Sequence, residues 1–310
     1  MSAEVVKVFD GIAWQEVRDS FVFDGAEWER AGDLYVGGNS WTDVPLTGPS
    51  PWSPLSISSL WQWMDATDAG TITKNGSNQV TRWSDKTGNV GDFVQLNISN
   101  SPVYSTSAIN GNPAVVFSQT TGFAQTLWGL NILNGASSFS IIMVMIPSRG
   151  ATQISDENYI VFRDFTGFPG DSHTEFQLAN YGNAGVLNGT IIPYLGAPED
   201  HPTTNLSDPS LLVSAIPVIM RLDIDPVDGF YGLYKDPDGT ANVWEGFMTT
   251  TADLFYPATP YCSDIGAGQA FITNTGATFT LGEFLSFSTL LDSDDLANIY
   301  SYLKTKWGIS

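Results

Sequence analysis

Cysteine is almost missing from this chain: Cys262 is the single one among 310 residues. That excludes internal disulfides and any thiolate metal cluster, and leaves Cys262 as a packed thiol. Histidine is nearly as scarce. His173 and His201 sit in polar stretches with no second His, Cys or Glu at metal-ligand spacing, and both read as surface residues. Positive charge is short as well, with twelve Lys plus Arg against thirty-three Asp plus Glu and a net charge of −21. A surface that negative repels phosphate backbones and anionic lipid, so neither nucleic acid nor membrane insertion is expected. The longest apolar run, Ile141 to Ile146, is far too short to cross a bilayer. Met-Ser-Ala-Glu-Val-Val-Lys at the N-terminus lacks the apolar core of a secretory signal. The expectation is a protein made in a cytoplasm that does not leave by the signal-peptide route.

What the chain has is aromatic residues and turns. Aromatics make up 13 %, including ten Trp and eighteen Phe, enough to fill a large core. Thirty Gly and seventeen Pro, spread throughout, mark many turns. The C-terminal stretch is the clearest. Leu281, Phe284 and Phe287, with Glu283 and Ser286 between them, form an apolar β-run. Asp292 or Ser293 then supplies an N-cap oxygen, and Asp294 and Asp295 stand at the positive end of a helix dipole. Leu296, Ile299, Tyr300, Leu303 and Trp307 make one stripe on a 3.6-residue period, Lys304 and Lys306 occupy the last turn, and Gly308 stops it.

Three copies of a short pattern open the chain. Phe9-Asp10-Gly11-Ile12-Ala13-Trp14 and Phe23-Asp24-Gly25-Ala26-Glu27-Trp28 are followed by Val36-Gly37-Gly38-Asn39-Ser40-Trp41. Asp-Gly or Gly-Gly between alternating apolar residues is a strong hairpin signal, so each unit predicts a tight β-hairpin with its Trp just past the turn. About 44 residues of small hairpins are marginal as a lone monomer. Residues 1–44 are therefore read as an attachment or oligomerisation module, with Trp14, Trp28 and Trp41 as docking residues and a homotrimer favoured. A small monomeric β-module is the alternative. The hairpin pattern resembles segments of tailed-bacteriophage structural proteins that attach or extend fibre-like parts.

Residues 45–54 carry four prolines, Pro45, Pro49, Pro51 and Pro54, and read as an extended spacer. From 55 to 310, short apolar runs alternate with turn clusters such as Asn75-Gly76, Asn110-Gly111 and Asp228-Gly229. That spacing predicts an all-β, two-sheet antiparallel sandwich with one C-terminal helix.

Several blocks of this body resemble, in order, a phage and bacterial branch of the concanavalin A-like (laminin-G-like) domains. They are Trp61-Gln62-Trp63-Met64-Asp65-Ala66-Thr67-Asp68, Trp83-Ser84-Asp85-Lys86-Thr87-Gly88-Asn89 and Ile109 to Phe117. Phe139 to Pro147, Gly282-Glu283-Phe284 and Tyr302 to Ile309 follow. The resemblance implies a jelly-roll sandwich, a fold shared by lectins, glycanases and purely structural modules. With the hairpin repeats, it implies a virion surface protein: a tail fibre or host-attachment part, or else a capsid decoration protein or head fibre without a ligand.

Catalytic chemistry has little to stand on. Retaining glycanases of this fold carry Glu-x-Asp-x-Glu on one strand, with the carboxyls about 5 Å apart, and the chain has no such triplet. Asp223-Ile224-Asp225 puts two carboxylates on one strand face, but neither is Glu. Read on through Asp228-Gly229, the same stretch is one residue out of step with a calcium loop and fits a hairpin turn. There is no Gly-x-Ser-x-Gly elbow. The chain is expected not to be an enzyme, and a glycan-degrading activity is the weakest of the alternatives. Asp65, Asp68, Asp85 and Asn89 are an oxygen set that could hold Ca²⁺. Equally, Asp65 and Asp68 could tie the first loop while Asp85 and Asn89 close a turn over Lys86. Sugar binding needs exposed rings with polar neighbours. The candidates are Trp128, Tyr194, Tyr256 and Tyr261, with Phe165 and Phe168 beside them.

Overall fold

The computed structural model describes residues 52–89, 91–118, 125–129, 138–147, 216–225, 232–235, 265 and 278–310 in full, and elsewhere the backbone of the strands named below. The chain divides into two compact units, Met1–Trp52 and Ser53–Ser310. The division falls within the proline-rich stretch.

The first unit consists of three hairpins. Val6–Phe9 pairs with Trp14–Val17, Phe21–Phe23 with Trp28–Arg30, and Asp33–Gly37 with Trp41–Pro45. Each forms its own two-stranded sheet. In all three a tryptophan is the first residue back from the turn: Phe9 pairs with Trp14, Phe23 with Trp28, and Gly37 with Trp41.

The second unit is mostly β, with two large antiparallel sheets and, among the described residues, one α-helix. A nine-stranded sheet runs from the short strand Thr204–Asn205 through Val186–Ile192, Thr174–Asn183, Asp156–Asp164 and Tyr261–Ile265. It continues through Leu127–Leu130, Phe93–Val94 and Val80–Trp83 to Ile72–Lys74. The eight-stranded sheet is built around Thr278–Phe287. On one side of that strand lies Phe139–Ser148, followed by Val218–Asp225, Phe230–Lys235 and Val243–Phe247. Its other side is shared: residues 279–281 pair with Asn112–Phe117, which forms a hairpin with Val103–Ile109, and residues 283–287 pair with Leu60–Asp65. The change of partner coincides with a bulge, since Val144 pairs with Glu283 and Met145 with Leu281, leaving Gly282 over.

That extra residue reverses which side chains face inward. Phe279 and Leu281 belong to the core before the bulge, and Phe284 belongs to it afterwards. Glu283, Leu285 and Phe287 thus turn to the opposite face. Core side chains come from both sheets. Trp83, Phe93, Leu127 and Ile265 of one meet Met64, Ile141, Met220 and Phe284 of the other in a single cluster. Phe93 meets Phe284 edge-on with ring centroids 5.7 Å apart. Each such buried ring stabilises the fold by roughly 1.5–3 kcal/mol relative to exposure.

The helix, Ser293–Trp307, covers the outer face of the eight-stranded sheet. The Asp292 carboxylate accepts from the backbone N–H groups of Asp294 and Asp295, capping the start. Gly308 ends it in the left-handed conformation at φ 61°. Ile299, Tyr300, Leu303 and Trp307 are buried beneath it. No helix among the described residues is long and apolar enough to cross a membrane.

Candidate functional site

The densest group of polar side chains lies where the helix meets the sheet. Glu283 is fully buried, and four donors hold its carboxylate. Oε1 accepts from Trp63 Nε1 at 2.7 Å and the Tyr302 hydroxyl at 3.0 Å. Oε2 accepts from Trp307 Nε1 at 2.6 Å and stands 2.9 Å from Lys306 Nζ. A glutamate in an otherwise apolar strand is costly to bury unless every lone pair is met; here the helix and the first strand of the unit together supply the donors.

Asp65 pairs directly with Glu283 across the ladder. Two carboxylates in that relationship repel, and one ammonium stands between them: Lys306 Nζ lies 2.8 Å from Asp65 Oδ1 and 2.9 Å from Glu283 Oε2. The other Asp65 oxygen accepts from Lys86 Nζ at 3.0 Å, while Thr67 donates to Oδ1 through its N–H and its hydroxyl. Lys86 also pairs with Asp68 at 3.3 Å and lies 4.1 Å above the Trp63 ring. Burial pushes the Asp65 carboxyl up, but Lys306, Thr67 and Lys86 outweigh it and hold it below the usual range. Glu283 moves the other way: burial raises it, and the attraction of Lys306 does not cancel that, with Asp65 adding to the rise. For Lys86, burial lowers the ammonium but Asp65 and Asp68 raise it further.

A second polar group anchors the helix further along. Arg221 Nε stands 3.0 Å from Asp223 Oδ2, and its Nη1 donates to the Tyr300 hydroxyl at 2.8 Å. Its guanidinium lies 3.7 Å from the Tyr234 ring centroid. Asp223 accepts from Ser140 Oγ at 2.7 Å. The guanidinium, the hydroxyl and the helix above them engage Asp223, so it belongs to a packing contact. Asp225 pairs with Phe230 across a hairpin whose connecting residues, 226–229, lie outside the described residues.

The four proposed oxygen ligands are neighbours, but each has other work. Asp68 caps the short helix Ala69–Thr71 through Gly70 N–H. Asp85 accepts from the backbone N–H of Trp63 at 2.8 Å and from Thr87. Asn89 donates to the Leu60 carbonyl. The ammoniums of Lys86 and Lys306 stand where a cation would stand beside Asp65. Among the described residues no group of three or more His, Cys, Asp or Glu is placed to hold a metal ion.

Of the proposed sugar-binding aromatics, Trp128 is half-buried at the middle of the nine-stranded sheet. Its strand neighbours Leu127 and Gly129 are buried inward, and a Cβ on Gly129 would lie 3.0 Å from the Phe93 ring. Trp128 therefore takes the outward position. It sits in one cross-strand row: Arg82, Val94, Trp128, Asp264, Val161 and Gln177 are successive partners. At the usual strand spacing this row spans about 24 Å. Arg82 is exposed and ion-paired with Asp92. Tyr261 opens the strand Tyr261–Ile265. Tyr194, Tyr256, Phe165 and Phe168 lie outside the described residues, as do His173 and His201. Trp14, Trp28 and Trp41 hold the equivalent hairpin positions given above.

Glu283 and Lys306 carry this region, yet neither stood out in the sequence. A lone Glu inside an apolar strand was the available signal, because such a residue demands buried donors.

No protein-family model and no curated protein matches the chain. Among solved structures it is similar to Trypanosoma rangeli sialidase in complex with sialic acid, at 13 % identity and a TM-score of 0.48, covering 81 % of this chain and 33 % of that one. It is also similar to the botulinum neurotoxin serotype D/C binding domain, at 12 % identity and a TM-score of 0.49, covering 81 % of this chain and 53 % of that one. A third is botulinum neurotoxin type C, whose cell entry depends on interaction with two ganglioside molecules. Identity there is 13 % and the TM-score 0.46, with the same two coverages. The chain spans a third to about half of these proteins, and likenesses with TM-scores below 0.5 carry no argument about function.

Proposed function

We propose that this chain is a structural protein of a tailed-phage virion. Residues 1–44 attach and oligomerise it, and a concanavalin A-like jelly-roll sandwich is displayed on the virion surface as a tail-fibre or host-attachment component. The observation that carries this reading is the threefold hairpin repeat, with four residues between the closing pair in the first two copies and three in the third. Each hairpin is paired only with itself, and each has a tryptophan closing its turn. A two-stranded sheet is marginal alone, so three in a row favour cover from other polypeptides, a trimer of this chain first. The ordered blocks that resemble phage concanavalin A-like domains support the body's assignment.

Glycan is the ligand this reading favours. Trp128 offers a ring for stacking on a sugar face, and the row through it places Arg82, Asp264 and Gln177 at register positions along the same line. Many copies on one particle multiply a weak single site. Catalysis on an outside substrate forms no part of the reading, since Glu283 is fully buried and Asp223 is engaged by Arg221 and Ser140, and no resident cofactor is invoked.

Light scattering on the intact chain and on a version lacking residues 1–44 tests the attachment half. The intact chain is expected to be an oligomer that binds purified virion components, and the shortened one a monomer that does not. A monomeric intact chain without affinity for any particle component overturns the reading. A capsid decoration role without ligand is the second reading. Failure of the multivalent protein to bind any spot on a host-envelope glycan array would favour it.

A further inference from the structure

We propose that Lys306 and Asp65 condense into an isopeptide bond that joins the C-terminal helix covalently to the first strand of the second unit. Three side chains make the arrangement. Lys306 Nζ, the nucleophile, touches Asp65 Oδ1 at 2.8 Å. Glu283 Oε2 lies 2.9 Å from the same nitrogen and is placed to carry its protons. Lys86 Nζ donates to Asp65 Oδ2 at 3.0 Å, where charge grows when the carboxyl carbon is attacked.

The surroundings favour reaction over a standing ion pair. Lys306 Nζ lies 5.2 Å from the centre of the Tyr302 ring, 5.5 Å from that of Trp307 and 6.0 Å from that of Trp63. The three rings line the nitrogen and hold it against the two carboxylates. The carboxylates of Asp65 and Glu283 are directly opposed across the ladder. Condensation removes one of those charges together with the ammonium between them, relieving both the repulsion and the burial of charge. Glu283 is also fully buried, so a proton carrier there has no access to an outside substrate and serves only its own chain.

The step balances without a co-reactant. Glu283 takes a proton from the Lys306 ammonium, and the freed nitrogen lone pair forms a bond to Asp65 Cγ. The carbonyl electron pair moves onto Oδ2 beside Lys86. When it returns, the Cγ–Oδ1 bond breaks. Oδ1 leaves as water with two protons from the former ammonium, both relayed through Glu283. An ammonium and a carboxylate become one amide and one water, with no change of oxidation state. The Lys306 side chain keeps 18 % of its exposure, which leaves the water a way out.

Mass spectrometry of the intact, denatured chain of 310 residues tests this directly. The expected mass is one water below that of the sequence, and proteolysis is expected to release a branched peptide linking Lys306 to Asp65. The linked chain stays looped in denaturant and runs ahead of its unlinked form on a denaturing gel. Lys306→Arg and Glu283→Gln are each expected to restore the full mass. A chain still at full mass after prolonged incubation at neutral pH overturns the proposal. So does a water loss mapped to any other pair, Glu283 with Lys306 included. The deciding measurement is made on the unaltered chain, so its outcome holds even where a variant fails to fold.

Discussion

Gly282 lies against Trp307 so closely that a Cβ on the glycine would fall 2.5 Å from the indole Cη2. Gly282 is also the bulge residue at which the central strand changes partners. The bulge turns Glu283 towards the helix, and the bare glycine lets the indole descend until its Nε1 reaches that carboxylate at 2.6 Å. Gly282→Ala must push the ring off its hydrogen bond. We expect a loss of about 1–3 kcal/mol, the usual range for overpacking, read as a lower denaturant midpoint at unchanged slope. An unchanged midpoint would mean that the helix shifts freely on the sheet.

The end of the helix depends on a hairpin elsewhere in the chain. Asn110 donates through Nδ2 to the carbonyls of Trp307 and Gly308, at 2.8 and 3.0 Å. It does so from a left-handed backbone, φ 47°. Asn110→Gly removes the cap but keeps the backbone freedom; Asn110→Ala removes the cap and adds strain. Equilibrium unfolding is expected to rank the wild type above the Gly variant and the Gly variant above Ala, the last costing about 1–3 kcal/mol. Equal losses in both variants would show that the turn conformation contributes nothing.

Alkali should loosen the helix through its two buried phenols. Burial raises the Tyr300 hydroxyl well above its usual 10.0, against the pull of Arg221. Tyr302 is raised too, by burial and then by the Glu283 charge. A phenol whose folded value is raised holds its proton in the native state after the unfolded chain has released it. Stability from this source is complete below pH 10 and falls as pH climbs past it. Unfolding free energy measured against pH is expected to break downward above that value. Tyr300→Phe should make that decline shallower while lowering stability at neutral pH by about 1.5–3 kcal/mol for the lost bond to Arg221. A curve without that break in the alkaline range would contradict the buried setting of both phenols.

Local chemistry was legible wherever one short segment decides its own structure. The helix follows its apolar stripe, starts at the Asp292 cap and stops at Gly308, as its sequence dictates. The longest apolar run, Ile141 to Ile146, lies within the strand Phe139–Ser148. The Asp-Gly turns produced hairpins with tryptophan just past the bend. Long-range chemistry was not legible. Lys306 reads as a cation complementing the helix dipole, but it turns inward to two carboxylates carried by strands more than twenty and more than two hundred residues away. The Gly282 bulge, which decides the facing of Glu283, depends on a partner strand that local periodicity does not contain. Asp65, Asp68 and Asp85 read as oxygen donors in search of a cation, and Lys86, between them in space, was visible only as part of a turn.

Trp128 is where adhesion can be separated from architecture. Its outward, half-buried ring is outside the shared core cluster, whereas its neighbour Leu127 belongs to it. Trp128→Ala is therefore expected to shift the unfolding midpoint little, while Leu127→Ala, which empties core volume, should cost about 2–5 kcal/mol. On a multivalent glycan array the order reverses. Trp128→Ala should reduce binding at least tenfold per site, about 1.4 kcal/mol, and avidity makes the loss larger for the assembled protein. Arg82→Ala, at the neighbouring register two strands away, should change the preference among glycans more than the strength, because its charge is already shared with Asp92. If Trp128→Ala bound every glycan as the parent does, the face of the nine-stranded sheet that carries Trp128 would not be the contact surface. Adhesion would then have to lie with the segments that carry Tyr194 and Tyr256.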